Sequence, residues 1–175
     1  MFPSTSKITS PGAGIAAMAA SPNNINMLKG RIKYQTIGPD KINQLRHARF
    51  LPDFDAVKEQ MRKHAEILRP KFEAVLCELD SQLGDQSFAK WTNPKGGYFI
   101  SLYVLEGTAK RVAELCKEAG MVLTPAGATY PYGKDPDDSN IRIAPSFPSV
   151  EEIKKAAEVL CVAVRYAALE KLTGC

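Results

Sequence analysis

Apolar residues recur every three or four positions between residues 53 and 83, and this is the strongest periodic signal in the chain. They form one stripe that consists of Phe54, Val57, Met61, Ala65, Leu68, Phe72, Val75, Leu76, Leu79 and Leu83. This spacing places the apolar side chains on one face and predicts a long helix. Pro70 predicts a kink inside the helix, and Gly84 predicts its end. His64 stands among charged neighbours and is predicted to be a solvated histidine of this helix.

The fifty residues before this helix carry a weaker pattern. Residues 1–30 are rich in Ser, Pro, Gly and Ala, with too few large apolar groups to build a core. They are expected either to pack closely against another surface or to stay mobile. Residues 40–50 predict a short helix whose inward side chains are Ile42, Leu45 and Phe50.

The second half of the chain alternates between strand-like and helix-like segments. The predicted strands are 90–93, 98–104, 121–124 and 140–144. The first two are separated by the turn sequence Pro94-Lys95-Gly96-Gly97. A loop rich in Pro, Gly and Asp leads into the last strand.

Two helices accompany these strands. Residues 108–119 predict a helix whose inward residues are Val112, Leu115 and Cys116. Ser149 and Glu152 form a capping box that opens a final helix ending near Leu172. Its predicted buried residues are Ile153, Ala156, Ala157, Leu160, Val164, Ala167 and Leu172. The predicted fold class is therefore α+β: a small, mostly antiparallel sheet packed by a long kinked helix and a C-terminal helix.

Charge and hydropathy exclude several classes of protein. The 23 Lys+Arg and 19 Asp+Glu give a net charge of 23 − 19 = +4, and no run of basic residues exceeds two. Neither feature predicts a nucleic-acid partner. The longest apolar run, Val159–Val164, is far shorter than the roughly 20 residues of a membrane helix. The first residues lack the pattern of a secretory signal.

The cysteines argue against a metal site. Cys77, Cys116, Cys161 and Cys175 are far apart, and the two histidines lie 17 positions from each other with no cysteine between them. Structural zinc sites use closely spaced ligands, so no metal is predicted. We expect three buried thiols and one at the terminus, in a reduced, cytoplasmic protein.

Three groups of residues could carry chemistry. Ser6-Lys7 precedes Pro11-Gly12-Ala13-Gly14, and small neighbours would let a bulky group approach the lysine amine. Residue chemistry alone favours a flexible terminal lysine at this position. The second group, Lys95-Gly96-Gly97-Tyr98-Phe99, fits close ligand approach before a strand, although a plain hairpin turn is the commoner explanation.

The third group is centred on Arg142, the only charge in the sequence Ile141-Arg142-Ile143-Ala144-Pro145. A guanidinium on a buried strand needs an anionic partner, and its fork matches a carboxylate. The partner could be internal, namely Asp137, Asp138 or Glu151, or it could be the carboxylate of a substrate. The sequence leaves these alternatives open.

The order of these motifs resembles a known family. S-K-I-T-x-P-G, K-G-G-Y-F, P-A-G-x-x-Y-x-x-G and N-I-R-I-A-P follow one another as in the C-terminal part of fold-type I, class I/II aminotransferases that use pyridoxal phosphate, with the MocR-like branch the most similar. The resemblance covers the whole chain. It implies residues 1–50 as a remnant of the cofactor-binding large domain with its connecting segment, and residues 51–175 as the C-terminal small domain.

The resemblance also implies roles for individual residues. Lys7 matches the catalytic lysine that bonds covalently to pyridoxal phosphate and moves a proton at the substrate Cα, and Ser6 matches a phosphate-binding position. Arg142 matches the arginine that binds the substrate α-carboxylate, and Gly97 matches a glycine near the substrate. The implied substrates are an amino acid and a 2-oxo acid. MocR-like regulators also carry a DNA-binding region, which is not found in these residues, so no nucleic-acid or membrane partner is expected.

Two departures from the family pattern matter. Many relatives carry a phosphate-binding arginine shortly after the Pro-Gly that follows the lysine, where this chain has Gly14 and Ile15. Most of the large domain that surrounds the cofactor would also precede residue 1. We therefore expect this chain alone to be inactive or nearly so. The alternative function is a non-catalytic folded remnant that binds a partner or forms a homo-oligomer.

Overall fold

A computed structural model describes residues 1–174. Within that range, five helices and three strands occur in the order α1 (Pro22–Ile32), α2 (Lys41–Phe50), α3 (Phe54–Leu83), β1 (Lys90–Trp91), β2 (Ile100–Tyr103), α4 (Ala109–Glu118), β3 (Asn140–Ile143) and α5 (Val150–Thr173). One 3-10 turn, Pro131–Gly133, lies between α4 and β3. This composition confirms the predicted α+β class.

The three strands form one antiparallel sheet in the order β1-β2-β3. In the register of β2 and β3, Ser101 lies opposite Arg142 and Leu102 lies opposite Ile141. Because side chains alternate along a strand, Leu102 and Ile141 turn to the core while Ser101 and Arg142 share the other face. The alternation of apolar and polar residues along β3 therefore places the charge of Arg142 on the face that turns away from the core.

The core lies in the second half of the chain, where α3, β2, β3, α4 and α5 contribute its buried residues. Leu79 and Leu83 on α3 are fully buried, and each contributes on the order of 2 kcal/mol relative to an exposed leucine. The predicted capping box opens α5, since the Glu152 N–H donates to Ser149 Oγ at 3.2 Å and the Ser149 N–H donates to Glu152 Oε2 at 2.8 Å. The long helix continues through Pro70, as the periodicity predicts.

The chain divides into two compact units, Met1–Glu66 and Ile67–Cys175. The first contains α1, which the sequence analysis did not predict. Its signal is local: Ser21 accepts a hydrogen bond from the Asn24 N–H, and Pro22 occupies the first helical position.

Helix α2 forms where it was predicted, but its inward face is different. Ile42, Leu45 and Phe50 are 77%, 52% and 55% exposed, whereas His47 is buried at 6%. The reason is that Asn43 and His47, which are one turn apart, form hydrogen bonds with Ala13 and Thr9 of the first unit. The assignment of the three apolar side chains to the inward face was wrong.

Three smaller expectations also fail. Residues 121–124 form no strand, because the Met121 N–H bonds back to Cys116 O at 2.8 Å and the segment has no strand partner within residues 1–174. Leu172 is 68% exposed, because the buried face of α5 ends at Ala168. Cys77 is exposed, since it is two positions from both Val75 and Leu79 and therefore faces away from them.

The prediction for the other three cysteines is confirmed for the two that the structure describes. Cys116 and Cys161 are buried as predicted, and Cys175 lies outside the described residues.

The apolar stripe of α3 is buried only in its second half, and Phe54 and Met61 near its start are 72% and 50% exposed. No helix within residues 1–174 combines the length and the apolar character needed to cross a membrane.

Candidate functional site

Ser6 and Lys7 lie on the outgoing arm of a hairpin-like loop in the first unit. We call residues 4–16 the lysine loop. Its two arms are joined by an antiparallel bridge between Ser4 and Ala16, and by a hydrogen bond of 2.9 Å from the Thr5 N–H to Ile15 O. The lysine is therefore carried by a closed and hydrogen-bonded loop rather than by a frayed terminus.

Small residues let the two arms of the lysine loop approach closely. A Cβ atom at Gly14 would lie 2.5 Å from Ser6 Oγ and 2.8 Å from Ser6 Cα, so no larger residue fits there without a shift. Ser6 Oγ lies 2.8 Å from Ser4 Oγ, which places two hydroxyls beside Lys7. Ser6 and Lys7 are both exposed.

Arg142 lies in the second unit, on the face of β3 that turns away from the core. Its guanidinium carbon lies 4.7 Å from the centroid of the Phe99 ring, a cation–π distance. Its Nε–H is buried and has no hydrogen-bond acceptor. A buried donor without a partner costs free energy in the isolated fold, so this arrangement is typical of a site that receives a ligand.

The internal partners considered for Arg142 do not pair with it. Asp138 lies 3.9 Å from the Lys110 ammonium, and Asp137 and Glu151 make no ion pair within the described chain. No carboxylate of residues 1–174 lies within ion-pair distance of Arg142. Its positive charge is thus uncompensated by the part of the chain that the structure describes.

A chain of hydrogen-bonded polar side chains, of which Asn140 is buried, runs beside Arg142. Asn140 Nδ2 donates to Ser101 Oγ at 2.8 Å, and Thr129 Oγ1 donates to Asn140 Oδ1 at 2.7 Å. Since Ser101 is the cross-strand partner of Arg142, these bonds fix the polar face on which the guanidinium lies.

The loop before β3 is closed by its own backbone. A Cβ atom at Gly127 would lie 2.4 Å from Gly133 O, so the backbones of residues 127 and 133 lie too close together for any residue but glycine at position 127. Between them, Tyr132 is 97% exposed and has a φ of 58°. This segment, residues 127–133, is a short loop whose ends meet and whose tip faces outward.

Asp135 joins that loop to β3. Its carboxylate accepts hydrogen bonds from the backbone N–H groups of Asp137 (3.1 Å), Ser139 (2.9 Å) and Asn140 (2.8 Å). Burial by itself would raise the pKa of the Asp135 carboxyl, but these backbone donors outweigh it and hold the pKa below its ordinary value. Burial is also the main reason why the pKa of the nearby Tyr130 phenol is raised.

Gly97 precedes β2 and has a φ of +93°, which favours glycine. A Cβ atom there would meet nothing within 4 Å, so in the described residues the glycine serves the backbone turn and not a close approach. Gly97 and Arg142 belong to one unit, and Ser6 and Lys7 belong to the other. The residues 1–174 contain no cluster of three or more side chains that could hold a metal ion.

The sequence motifs contain Phe99 and Asn140 but did not predict a role for either at this site. Both roles could have been found from the strand register, because Phe99, just before β2, is two residues from Ser101, and Asn140 is two residues from Arg142 on β3. The four residues therefore line one face of the sheet once the two strands are paired.

Comparison with known proteins gives one family. The family model described as aspartate amino-transferase matches residues 1–175. An aspartate aminotransferase from Corynebacterium glutamicum is 51% identical over 169 residues, which are 97% of this chain and 39% of that protein.

Solved structures share the fold. The structure of an aspartate transaminase from Corynebacterium glutamicum matches with a TM-score of 0.91 and 50% identity, over 97% of this chain and 40% of that chain. An α-aminoadipate aminotransferase from Thermus thermophilus, complexed with N-(5'-phosphopyridoxyl)-L-leucine, matches with a TM-score of 0.75 and 21% identity, over 94% of this chain and 41% of that chain. The chain thus spans about 40% of the length of these similar proteins.

Proposed function

The chain belongs to the aminotransferase family matched by the aspartate amino-transferase model, and we propose that its residues take part in moving an amino group between an amino acid and a 2-oxo acid. Pyridoxal phosphate is the cofactor expected for this family. Since the chain spans about 40% of the similar proteins, the proposal concerns the contribution of these residues to such a site.

Arg142 carries the proposal. Its side chain is stacked on Phe99, its Nε–H is buried without an acceptor, and no carboxylate of the described chain neutralises it. An arginine in this state supplies charge and a planar pair of donors that match a carboxylate. We propose that Arg142 binds the α-carboxylate of the substrate and thereby orients its Cα–H bond.

Lys7 supplies the amine. When bound, pyridoxal phosphate supplies an electron-withdrawing ring that stabilises negative charge at the substrate Cα. The proposed role of Lys7 Nζ is to bind the cofactor covalently and then to take and return the proton at that carbon. The lysine loop suits this role because it is closed by its own hydrogen bonds and leaves Lys7 exposed.

The hydroxyls beside Lys7 fit a phosphate. Ser4 Oγ and Ser6 Oγ lie 2.8 Å apart, both residues are exposed, and Ser6 directly precedes Lys7. Because Gly14 and Ile15 stand where many relatives carry an arginine, we propose that Ser6 contributes a hydrogen bond and that the charge is supplied elsewhere. Gly97 is proposed to leave room for the substrate.

Two finer proposals concern the branch and the level of activity. The order of the four motifs supports the MocR-like branch of the family. The 175-residue chain on its own is expected to show little or no transamination, because one lysine and one arginine do not orient a cofactor, and orientation supplies much of catalysis.

Borohydride trapping tests the role of Lys7. The full chain is incubated with pyridoxal phosphate, reduced, digested, and each lysine is quantified by mass spectrometry. We expect a saturable adduct at Lys7 that exceeds the adduct at Lys29, an exposed lysine of α1 in the same unit. Lys7→Arg keeps the positive charge and should abolish that adduct alone.

Equal labelling of Lys7 and Lys29, with no saturation, would contradict the proposal for Lys7. The role of Arg142 is tested separately by titrating the chain with 2-oxoglutarate and following the backbone amide resonances of β2 and β3 by NMR, which can be measured in every variant. A Lys154→Gln variant, which removes a charge from exposed α5 surface, serves as the control. Loss of binding in Arg142→Gln but not in Lys154→Gln is the expected result.

A further inference from the structure

His47 is a buried imidazole to which the proposed chemistry gives no task. It lies on α2, one turn after Asn43, and only 6% of it is exposed. Its two ring nitrogens contact different segments of the first unit. These contacts lead directly to the turn that carries Lys7.

One ring nitrogen is fixed by its own helix. His47 Nδ1 lies 2.9 Å from Asn43 O, and a carbonyl oxygen can only accept a hydrogen bond, so Nδ1 carries a proton. His47 Nε2 lies 2.9 Å from Thr9 Oγ1 and 3.2 Å from Thr5 Oγ1. In the neutral ring, Nε2 accepts a hydroxyl proton from this threonine pair.

The threonine pair brackets Lys7. Thr5 precedes the lysine by two residues and Thr9 follows it by two. The N–H groups of Ile8 and Thr9 both donate to Thr5 O at 2.9 Å, which closes one helical turn over residues 5–9. His47 therefore contacts both ends of the turn that carries Lys7 at its centre.

Helix α2 also holds the returning arm of the lysine loop. Asn43 Nδ2 donates to Ala13 O at 2.9 Å, and the Ile15 N–H donates to Thr5 Oγ1 at 2.9 Å. The outgoing arm is bound through His47 and the returning arm through Asn43. One face of α2 thus fixes the position of both arms.

We propose that His47 is a positioning residue for Lys7. It acts through Thr5 and Thr9 by holding the main chain of the turn in place. A lysine side chain has four rotatable carbon–carbon bonds, so the reach of its amine depends on a fixed Cα, and small displacements of a reacting group are costly. This inference rests on the proposed function of Lys7.

The test compares Thr9→Val with Thr9→Ser in the full chain. Valine keeps the volume and removes the hydroxyl, which contacts His47 Nε2 at 2.9 Å and Thr5 O at 3.1 Å, while serine keeps it. We expect Thr9→Val to exchange the amide hydrogens of Ile8 and Thr9 about fivefold faster than the wild type, as the loss of one ordinary hydrogen bond predicts. The preference of pyridoxal phosphate for Lys7 over Lys29 should fall by a similar factor. Thr9→Ser should match the wild type in both measurements.

Two further variants connect the effect to His47. His47→Gln should also accelerate the exchange of Ile8 and Thr9, and the effects of the two changes should be less than additive, because both remove the contact between His47 Nε2 and Thr9 Oγ1. Unchanged exchange in His47→Gln would overturn the role of His47. His64→Gln makes the same substitution on α3 in the same unit and should leave the exchange rates of residues 5–15 unchanged.

The outcomes separate this inference from the proposed function. Equal amide exchange rates of Ile8 and Thr9 in Thr9→Val, Thr9→Ser and the wild type would overturn the role of His47. A uniform acceleration of amide exchange across residues 1–66 would also overturn it. If the wild type shows no preference for Lys7, the proposed function fails. In that case the amide exchange rates of the turn over residues 5–9 still test whether His47 fixes the position of this turn.

Discussion

The guanidinium of Arg142 is supported by the ring of the residue that precedes the neighbouring strand, with the guanidinium carbon 4.7 Å from the centroid of Phe99. Phe99 precedes Ser101 by two residues, and Ser101 lies opposite Arg142, so the two side chains are diagonal neighbours on one face of the sheet. A long cation held against an aromatic face has fewer conformations to lose when an anion binds.

Replacing that ring should weaken carboxylate binding without removing it. Phe99→Leu keeps an apolar side chain and removes the cation–π contact, which is worth about 0.5–1 kcal/mol at a half-exposed site. We expect the dissociation constant for 2-oxoglutarate to rise about two- to fivefold in an NMR titration. Phe147→Leu, at a side chain that is 96% exposed, should leave it unchanged. Equal affinities in Phe99→Leu and the wild type would show that the ring does not support the guanidinium.

Arg142 and Arg111 should respond oppositely to the same substitution. The Arg111 guanidinium donates to Glu170 through Nε at 2.8 Å and Nη2 at 2.9 Å, which ties α4 to α5. Arg142 has no such partner and leaves a buried donor unpaired. In urea unfolding, Arg111→Met should lower the midpoint, whereas Arg142→Met should leave it unchanged or raise the stability by up to about 1 kcal/mol. A clear loss of stability in Arg142→Met would assign that arginine to the fold.

Asp135 should make stability depend on acidic pH. Its pKa is lowered in the folded chain, so the unfolded chain binds more protons in this range and the contribution of Asp135 is lost as the pH falls. The contribution is complete above the ordinary carboxyl pKa. Asp135→Asn should cost about 1 kcal/mol at pH 7 through weakened hydrogen bonds to three backbone donors.

The measurement is the unfolding free energy at a series of pH values between 5 and 3. The wild type should lose more stability across this range than Asp135→Asn does. Asp85→Asn, at an exposed residue after α3, should follow the wild type. If Asp135→Asn and the wild type had parallel profiles, the three N–H donors would not stabilise the ionised carboxylate.

The thiols should differ sharply in reactivity. Burial raises the pKa of the Cys116 thiol to about 11 and is the main cause that raises the pKa of the Cys161 thiol to about 12. At pH 8 the reactive thiolate of Cys116 is then on the order of one part in a thousand. Iodoacetamide should alkylate Cys77, which is exposed, well before either buried cysteine, as read by site-resolved mass spectrometry. In urea the differences should disappear, and early labelling of Cys161 in the folded chain would contradict its burial.

Much of the second unit followed from local signals in the sequence. The reciprocal bonds of Ser149 and Glu152 define the start of α5, and the alternation around Arg142 defines β3. These features depend on neighbours a few residues away, so a pattern in the sequence is enough to predict them.

The first unit and the supporting residues of the candidate site were harder to predict. The apolar pattern of α2 cannot reveal which face is covered, and the face turned to the lysine loop proved to be that of Asn43 and His47. Phe99 and Asn140 acquire their places only through strand pairing and through contacts between distant parts of the chain. Residues 121–124 show the converse, since apolar character alone does not supply a pairing partner.

The self-closed loop at residues 127–133 has a consequence for how this sequence can evolve. Its closure depends on the backbone at Gly127 and Gly133, whereas Tyr132 at its tip is 97% exposed. Substitutions at the tip can accumulate without disturbing the course of the chain into β3. Selection can therefore diversify this stretch of surface while the strand that carries Arg142 is inherited unchanged.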